Sequence, residues 1–214
     1  MLILFDCDGV LVDSEIIANR VLAAHLTRHG YPVTGAQARE RFIGRTIPGV
    51  MAMVADAGVD LPHDFEATLS RKDEVAFARE LEAVPGVEQA LKRLGGRPRA
   101  VASSGSPTKI ARNLEITGLR KYFGRHLFSA AMVRHPKPAP DLFLMAAREM
   151  GAAAADCWVI EDTPLGIQAA RRAGMRAAGF TGASHATPDL AAALGKAGAD
   201  VVFDDMARLP DILR

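Results

Sequence analysis

Six short apolar runs, separated by stretches of helical character, constrain this chain more than any other feature. The runs are Leu2–Phe5, Arg99–Ala102, Leu127–Ser129, Trp158–Ile160, Arg176–Gly179 and Val201–Phe203. Their apolar content is nearly continuous, whereas a strand with one wet face alternates apolar and polar residues. Continuous apolar strands are buried on both faces, which happens in parallel sheets covered by crossover helices.

The intervening segments carry helix signals. Pro85-Gly86 opens Val87–Leu94, which stops at Gly95-Gly96, and Ser106-Pro107 pairs a cap with proline at the first helical position, in a helix ending near Gly118. Asp141 is expected to cap the run from Leu142 to Met150, and Thr163-Pro164 starts a helix that Gly174 ends. The expected fold is α/β, a Rossmann-like parallel sheet with helices on both faces. One block breaks the rhythm. Between Ser14 and Val84 there is no strand pattern, only the helical pieces Ile16–His29, Ala36–Phe42, Val50–Ala57 and Asp64–Leu81, the last with Phe65, Leu69 and Leu81 on one face. Residues 1–13 and 85–214 therefore read as the α/β core, and residues 14–84 as an inserted all-helical domain above the sheet.

Composition excludes several classes. The 214 residues are 49% hydrophobic and 24% charged, with a net charge of +1 and no Lys/Arg block, so nucleic acid is not an expected partner. No stretch approaches the ~20 apolar residues of a membrane span, and the four apolar residues before Asp6 do not make a signal peptide. Cys7 and Cys157 form no C-x-x-C pair and are expected as small buried residues in strands, which suits a reducing, cytoplasmic setting. His25 and His29, four apart, lack a third ligand and read as a solvated helix face.

In open parallel sheets, ligands bind outside the carboxyl ends of the strands. Asp6 and Asp8 follow the first strand, Ser103 and Ser104 the second, and Glu161 and Asp162 the fourth. Lys137 follows the third strand in a loop stiffened by Pro136, Pro138 and Pro140. Each has an ordinary structural use as a turn, cap or solvated side chain, but their convergence on one edge outweighs those uses. Carboxylates gathered from different strands repel one another unless a cation lies between them. Mg²⁺ is the natural candidate, since it takes one or two carboxylates and leaves room for water and phosphate. Phosphoryl transfer then follows: Asp6 as nucleophile, Asp8 as acid/base, and Ser103, the Ser104 N–H and Lys137 on the phosphoryl oxygens.

These residues resemble the motifs of the haloacid dehalogenase superfamily, in its phosphatase branch related to phosphoglycolate phosphatase and β-phosphoglucomutase. Phe5-Asp6-Cys7-Asp8-Gly9-Val10-Leu11-Val12-Asp13-Ser14 is similar to the first motif, Val101-Ala102-Ser103-Ser104 to the second, and Lys137-Pro138-Ala139-Pro140-Asp141 to the third. Ile160-Glu161-Asp162-Thr163-Pro164-Leu165-Gly166-Ile167 is similar to the fourth, with Thr163 where serine is more usual. The resemblance implies that Asp6 ligates Mg²⁺ and attacks phosphorus to give an aspartyl phosphate. It implies that Asp8 ligates through its backbone carbonyl, that Asp162 is the third protein ligand, and that Glu161 supports the metal through a water. The helical insertion resembles the family's cap, and Asp8 separates the chain from the dehalogenase branch.

Substrate selection is expected from the cap, with Arg45 and Lys72 as candidates, Lys72 standing where similar enzymes carry a substrate-contacting lysine. The similar mutases carry a histidine at the place of Ala18. The expected activity is hydrolysis of a small phosphorylated, sugar-phosphate-like metabolite by a monomer or weak homodimer. The alternatives are a β-phosphoglucomutase-like phosphomutase and a non-catalytic binding protein on the same fold.

Overall fold

A computed structural model describes residues 1–42 and 45–213. The six strands are β1 (Leu2–Phe5), β2 (Arg99–Ser103), β3 (Leu127–Ser129), β4 (Cys157–Glu161), β5 (Arg176–Phe180) and β6 (Val201–Phe203). All pair in parallel in the order β3-β2-β1-β4-β5-β6. The expected α/β architecture is present, with the connecting helices around the sheet. Its heart is apolar: Leu2, Leu4, Ala100, Ala102 and Val159 pack with Leu142, Phe143 and Ile167 in one buried cluster.

The chain divides into two compact units, residues 1–13 with 82–213, and Ser14–Leu81. Residues 82–84, expected with the insertion, group with the core instead. The reason is local: Asp13 N–H donates to the Glu82 carbonyl (3.0 Å) and Val84 N–H to the Leu11 carbonyl (3.0 Å). The segments leading into and out of the insertion are thereby clipped together, with an isolated antiparallel bridge between Val12 and Ala83.

Among the described residues, the regular elements of the inserted unit are all helices, joined by turns and loops: α1 (Glu15–Arg28), α2 (Gly35–Phe42), α3 (Ile47–Asp56) and α4 (Phe65–Glu80). Helix α3 starts earlier than expected because the Thr46 hydroxyl caps it, accepting from Gly49 N–H. Phe65 and Leu69 enter a core built with Leu22, Leu26, Phe42 and Val54. The solvated-face expectation fails for His25, which is 2% exposed and stacks on Phe65 at 4.3 Å between ring centroids. Its spacing from His29 is real, since the two rings meet edge to face at 4.8 Å, but α4 covers the side chain that spacing alone left in water.

Burial, followed by the nearby His29 and Lys72 charges, lowers the His25 pKa. A histidine whose native pKa lies below its unfolded value binds fewer protons when folded, so stability is full above about pH 6.5 and falls as pH drops through that value. His25→Phe should therefore lose less stability than the wild type between pH 7 and pH 5. Thermal melts of both proteins at the two pH values test this, and equal losses would refute it.

The core helices are α5 (Val87–Arg93), α6 (Pro107–Ile116), α7 (Asp141–Glu149), α8 (Pro164–Arg172), α9 (Leu190–Lys196) and α10 (Leu209–Ile212). Asp141 does not cap α7 as expected. It is the first helical residue after Pro140, and its carboxylate meets His135 Nδ1 at 3.0 Å. Cys157 opens β4, whereas Cys7 lies in the turn after β1 and not in a strand. Both are buried free thiols. Among the described residues no helix is long and apolar enough to cross a membrane.

Candidate active site

The sheet order reverses at β1, from which β2 and β3 run to one side and β4, β5 and β6 to the other. Such a switch point opens a crevice at the strand ends. Register aligns the polar residues there. Phe5 pairs with Val101 and with Ile160, so Asp6, Ser103 and Glu161 follow within two residues on three adjacent strands.

Lys137 joins them. Its Nζ lies 2.7 Å from Asp6 Oδ1, 2.5 Å from Glu161 Oε1 and 3.1 Å from the Ala102 carbonyl, with the side chain only 6% exposed. The ammonium also sits 4.9 Å from the centroid of the Phe143 ring. Arg172 ties the Lys137 loop to α8 by donating to the Pro138 carbonyl at 2.9 Å. Burial alone would lower the lysine pKa, but the carboxylates of Asp6 and Glu161 outweigh it and raise it, so Lys137 stays charged.

Asp6 is held in the opposite sense. Burial pushes its carboxyl well above the usual range, Lys137 pulls it back, and the charges of Glu161 and Asp162 add to the rise. Two buried carboxylates, Asp6 and Glu161, thus share one ammonium, and the Asp162 charge lies near enough to act on Asp6. That excess of negative charge is the condition under which a cation is favoured.

Glu161 has both oxygens engaged by protein. Oε1 faces Lys137, while Oε2 accepts from the Thr163 amide (3.0 Å) and hydroxyl (2.8 Å). The same hydroxyl caps α8 by accepting from Gly166 N–H at 3.1 Å. Threonine at this position thus both caps the helix and anchors the acid. Glycine is needed at 166, since a Cβ there would overlap the Glu161 carboxylate.

Asp8 and Asp162 have other partners. Asp8 Oδ2 accepts from Lys109 Nζ at 2.9 Å, and Asp162 Oδ2 lies 3.0 Å from His185 Nε2. The tight turn after β1 packs against Asp162: Gly9 adopts φ +77°, and a Cβ there would run into Asp162 Oδ2. Ser103, 1% exposed, accepts from Gly105 N–H at 3.2 Å, which leaves its O–H free to donate. Ser104 is exposed at the same strand end.

Asp6, Glu161 and Lys137 are therefore in direct contact, and Asp162 adds its charge to them. Arg45 and Lys72 belong to the helical unit. Arg45 is exposed next to the Thr46 cap, beyond residues 43 and 44, which lie outside the description, and Lys72 is half-buried on α4. Lys109 and His185 were missed in the sequence. Lys109 is in the first turn of the helix that Ser106 caps, and His185 follows β5, so the same strand-end rule applied to every strand finds both.

Comparison with known proteins decides the family. The model for haloacid dehalogenase-like hydrolases matches residues 1–174. The chain belongs to that family. It is 31% identical to the 6-phosphogluconate phosphatase of Escherichia coli K12 over 189 residues, covering 87% of this chain and 85% of that one. It is 34% identical to the fructose-1-phosphate phosphatase of the same organism over 178 residues, covering 82% and 93%. A haloacid dehalogenase-like protein of unknown function from Agrobacterium tumefaciens superposes with a TM-score of 0.89 at 40% identity, covering 99% and 96%. This haloacid dehalogenase-like hydrolase is accordingly a phosphoric monoester hydrolase.

Among the described residues, no three His, Cys, Asp or Glu side chains are grouped to hold a metal alone. The donor chemistry still fits a small hard cation. The carboxylates of Asp6 and Asp162 are hard oxygen donors close enough for the charge of one to raise the pKa of the other, and Mg²⁺ completes its shell with water and substrate oxygens.

Proposed function

We propose that this hydrolase removes phosphate from a small phosphorylated metabolite of sugar-phosphate type, using Mg²⁺ and an aspartyl-phosphate intermediate on Asp6. The observation that carries this reading is the buried Lys137 ammonium, 2.7 Å from Asp6 and 2.5 Å from Glu161 at the strand ends. It holds Asp6 in place and provides a fixed positive charge beside the carboxylate that attacks.

In this reading Asp6 attacks phosphorus, a P–O bond to its carboxylate forms and the ester P–O bond breaks. Asp8 protonates the departing alkoxide, then accepts a proton from the water that hydrolyses the aspartyl phosphate. Ser103 donates its hydroxyl hydrogen, and Ser104 its backbone N–H, to phosphoryl oxygens that gather charge in the transition state. Lys109 holds Asp8 by one oxygen in the resting site. Asp6 and Asp162 with the Asp8 carbonyl would hold Mg²⁺, with Glu161 supporting it through water. When bound, Mg²⁺ neutralises charge on the phosphoryl group.

The sugar-phosphate class rests on the relatives, which are named for 6-phosphogluconate and fructose-1-phosphate. Selection among such substrates is assigned to the helical unit as a cap, with Arg45 and Lys72 as its cations. Alanine at 18, where the similar mutases carry histidine, favours hydrolysis over isomerisation. Two buried free thiols suit a reducing, cytoplasmic setting.

The test is phosphate release from a panel of sugar phosphates, with Mg²⁺, with chelator, and with Mg²⁺ restored. Release is expected from at least one monoester, lost with chelator and recovered with metal. Metal-independent release, or isomerisation without release of phosphate, would overturn the reading.

A further inference from the structure

The loop after β5 is built in more detail than a connection requires. Thr181 N–H donates to the Phe203 carbonyl at 2.9 Å, and Ala186 N–H closes a turn on the Ala183 carbonyl at 3.0 Å. Gly182 packs so closely that a Cβ would overlap the Asp204 carbonyl, and Ala183 is buried. Ser184 completes the anchorage. Its hydroxyl donates to Asp13 Oδ1 at 2.8 Å, and its amide donates to both Asp13 oxygens at 3.3 Å.

All of this holds one side chain in place. His185 is 14% exposed, with Nε2 3.0 Å from Asp162 Oδ2. Gly9 clears the space from the other side, since a Cβ there would strike both Asp162 Oδ2 and His185 Cε1. Segments after β1, β4 and β5 thus meet at the Asp162 carboxylate.

We propose that His185 is a positioning residue that orients Asp162 for cation binding, an inference that rests on the Mg²⁺ reading above. A carboxylate can rotate about its Cβ–Cγ bond, and such rotation costs affinity whenever a cation must find one orientation. An imidazole N–H donated to Oδ2 stops that rotation, the kind of contact behind a ligand that typically tunes metal affinity by about 10- to 100-fold. The Asp13–Ser184 bonds hold the imidazole at its distance, so they contribute at second hand.

Mg²⁺ titration by calorimetry tests this on the full chain, using wild type, His185→Ala, His185→Gln and His185→Asn. His185→Ala should bind Mg²⁺ about 10- to 100-fold more weakly, with the metal-free melting temperature little changed. His185→Gln should recover most of the affinity, because its amide N–H reaches where Nε2 lay, whereas the shorter asparagine should not. In turnover assays the Mg²⁺ needed for half-maximal rate should rise, with kcat at saturating metal little altered. Wild-type affinity in His185→Ala would overturn the inference. If that variant does not fold, equal Mg²⁺ affinity in the glutamine and asparagine variants would do so. A wild type that binds no Mg²⁺ overturns the metal reading first, and the inference with it.

Discussion

Asp6→Asn is expected to abolish phosphate release while leaving the protein folded and at least as stable as before. Asparagine keeps the volume and offers Lys137 a carbonyl oxygen, but it cannot form the acyl phosphate. Loss of a covalent nucleophile costs on the order of 10⁴-fold or more in rate, about 5 kcal/mol of transition-state stabilisation. Stability should move the other way. Burial and the Glu161 and Asp162 charges disfavour ionised Asp6 in the metal-free protein, and a neutral isostere removes that penalty. Steady-state phosphate release with saturating Mg²⁺, and thermal melts in chelator, measure the two effects. Turnover at the normal rate would remove Asp6 from the mechanism. A large drop in metal-free melting temperature would show that its charge stabilises the fold.

The strands were legible because nearly every residue in them is apolar and the glycine and proline punctuation bounds them closely. Each observed strand lies within one residue of its expected ends. Helices α9 and α10 carried weaker marks. Asp189 precedes α9 without a capping bond from its side chain, and α10 is a single turn around Pro210. Asp6, Ser103, Lys137 and Glu161 were legible as strand-end residues because topology brings those ends together in any open parallel sheet. Their pairing was not. Lys137 lies 131 positions from Asp6 and 24 from Glu161, and no local pattern encodes a bond across such distances. Lys109 with Asp8 and His185 with Asp162 were hidden for the same reason. His25 shows the complementary failure: its own helix left it exposed, and Phe65, on a helix far along the chain, covered it.

Lys137→Met should be the most destabilising single change at the site in the metal-free protein. Methionine keeps the unbranched stem near the Phe143 ring, so packing is nearly conserved and the loss is mainly of charge. What remains is Asp6 and Glu161, both buried, with Asp162 beside them and no ammonium among them. Breaking a buried ion pair by removing one partner costs about 3–5 kcal/mol, which lowers the melting temperature of a chain this size by on the order of 10 °C. The pH dependence follows from the pKa directions. Lys137 has a raised native pKa, so its contribution is full below the ordinary lysine value of about 10.4 and disappears only as pH rises through the higher native one. Toward pH 5 the gap between wild type and variant should narrow, because protonation of Asp6, whose pKa is already raised, relieves the repulsion that Lys137 had balanced. In the Asp6→Asn background one of the carboxylates is already neutral, so the same lysine substitution should cost less there. The double-mutant cycle reads that difference directly. A cost equal in both backgrounds would mean that Lys137 stabilises the fold by something other than the charge of Asp6.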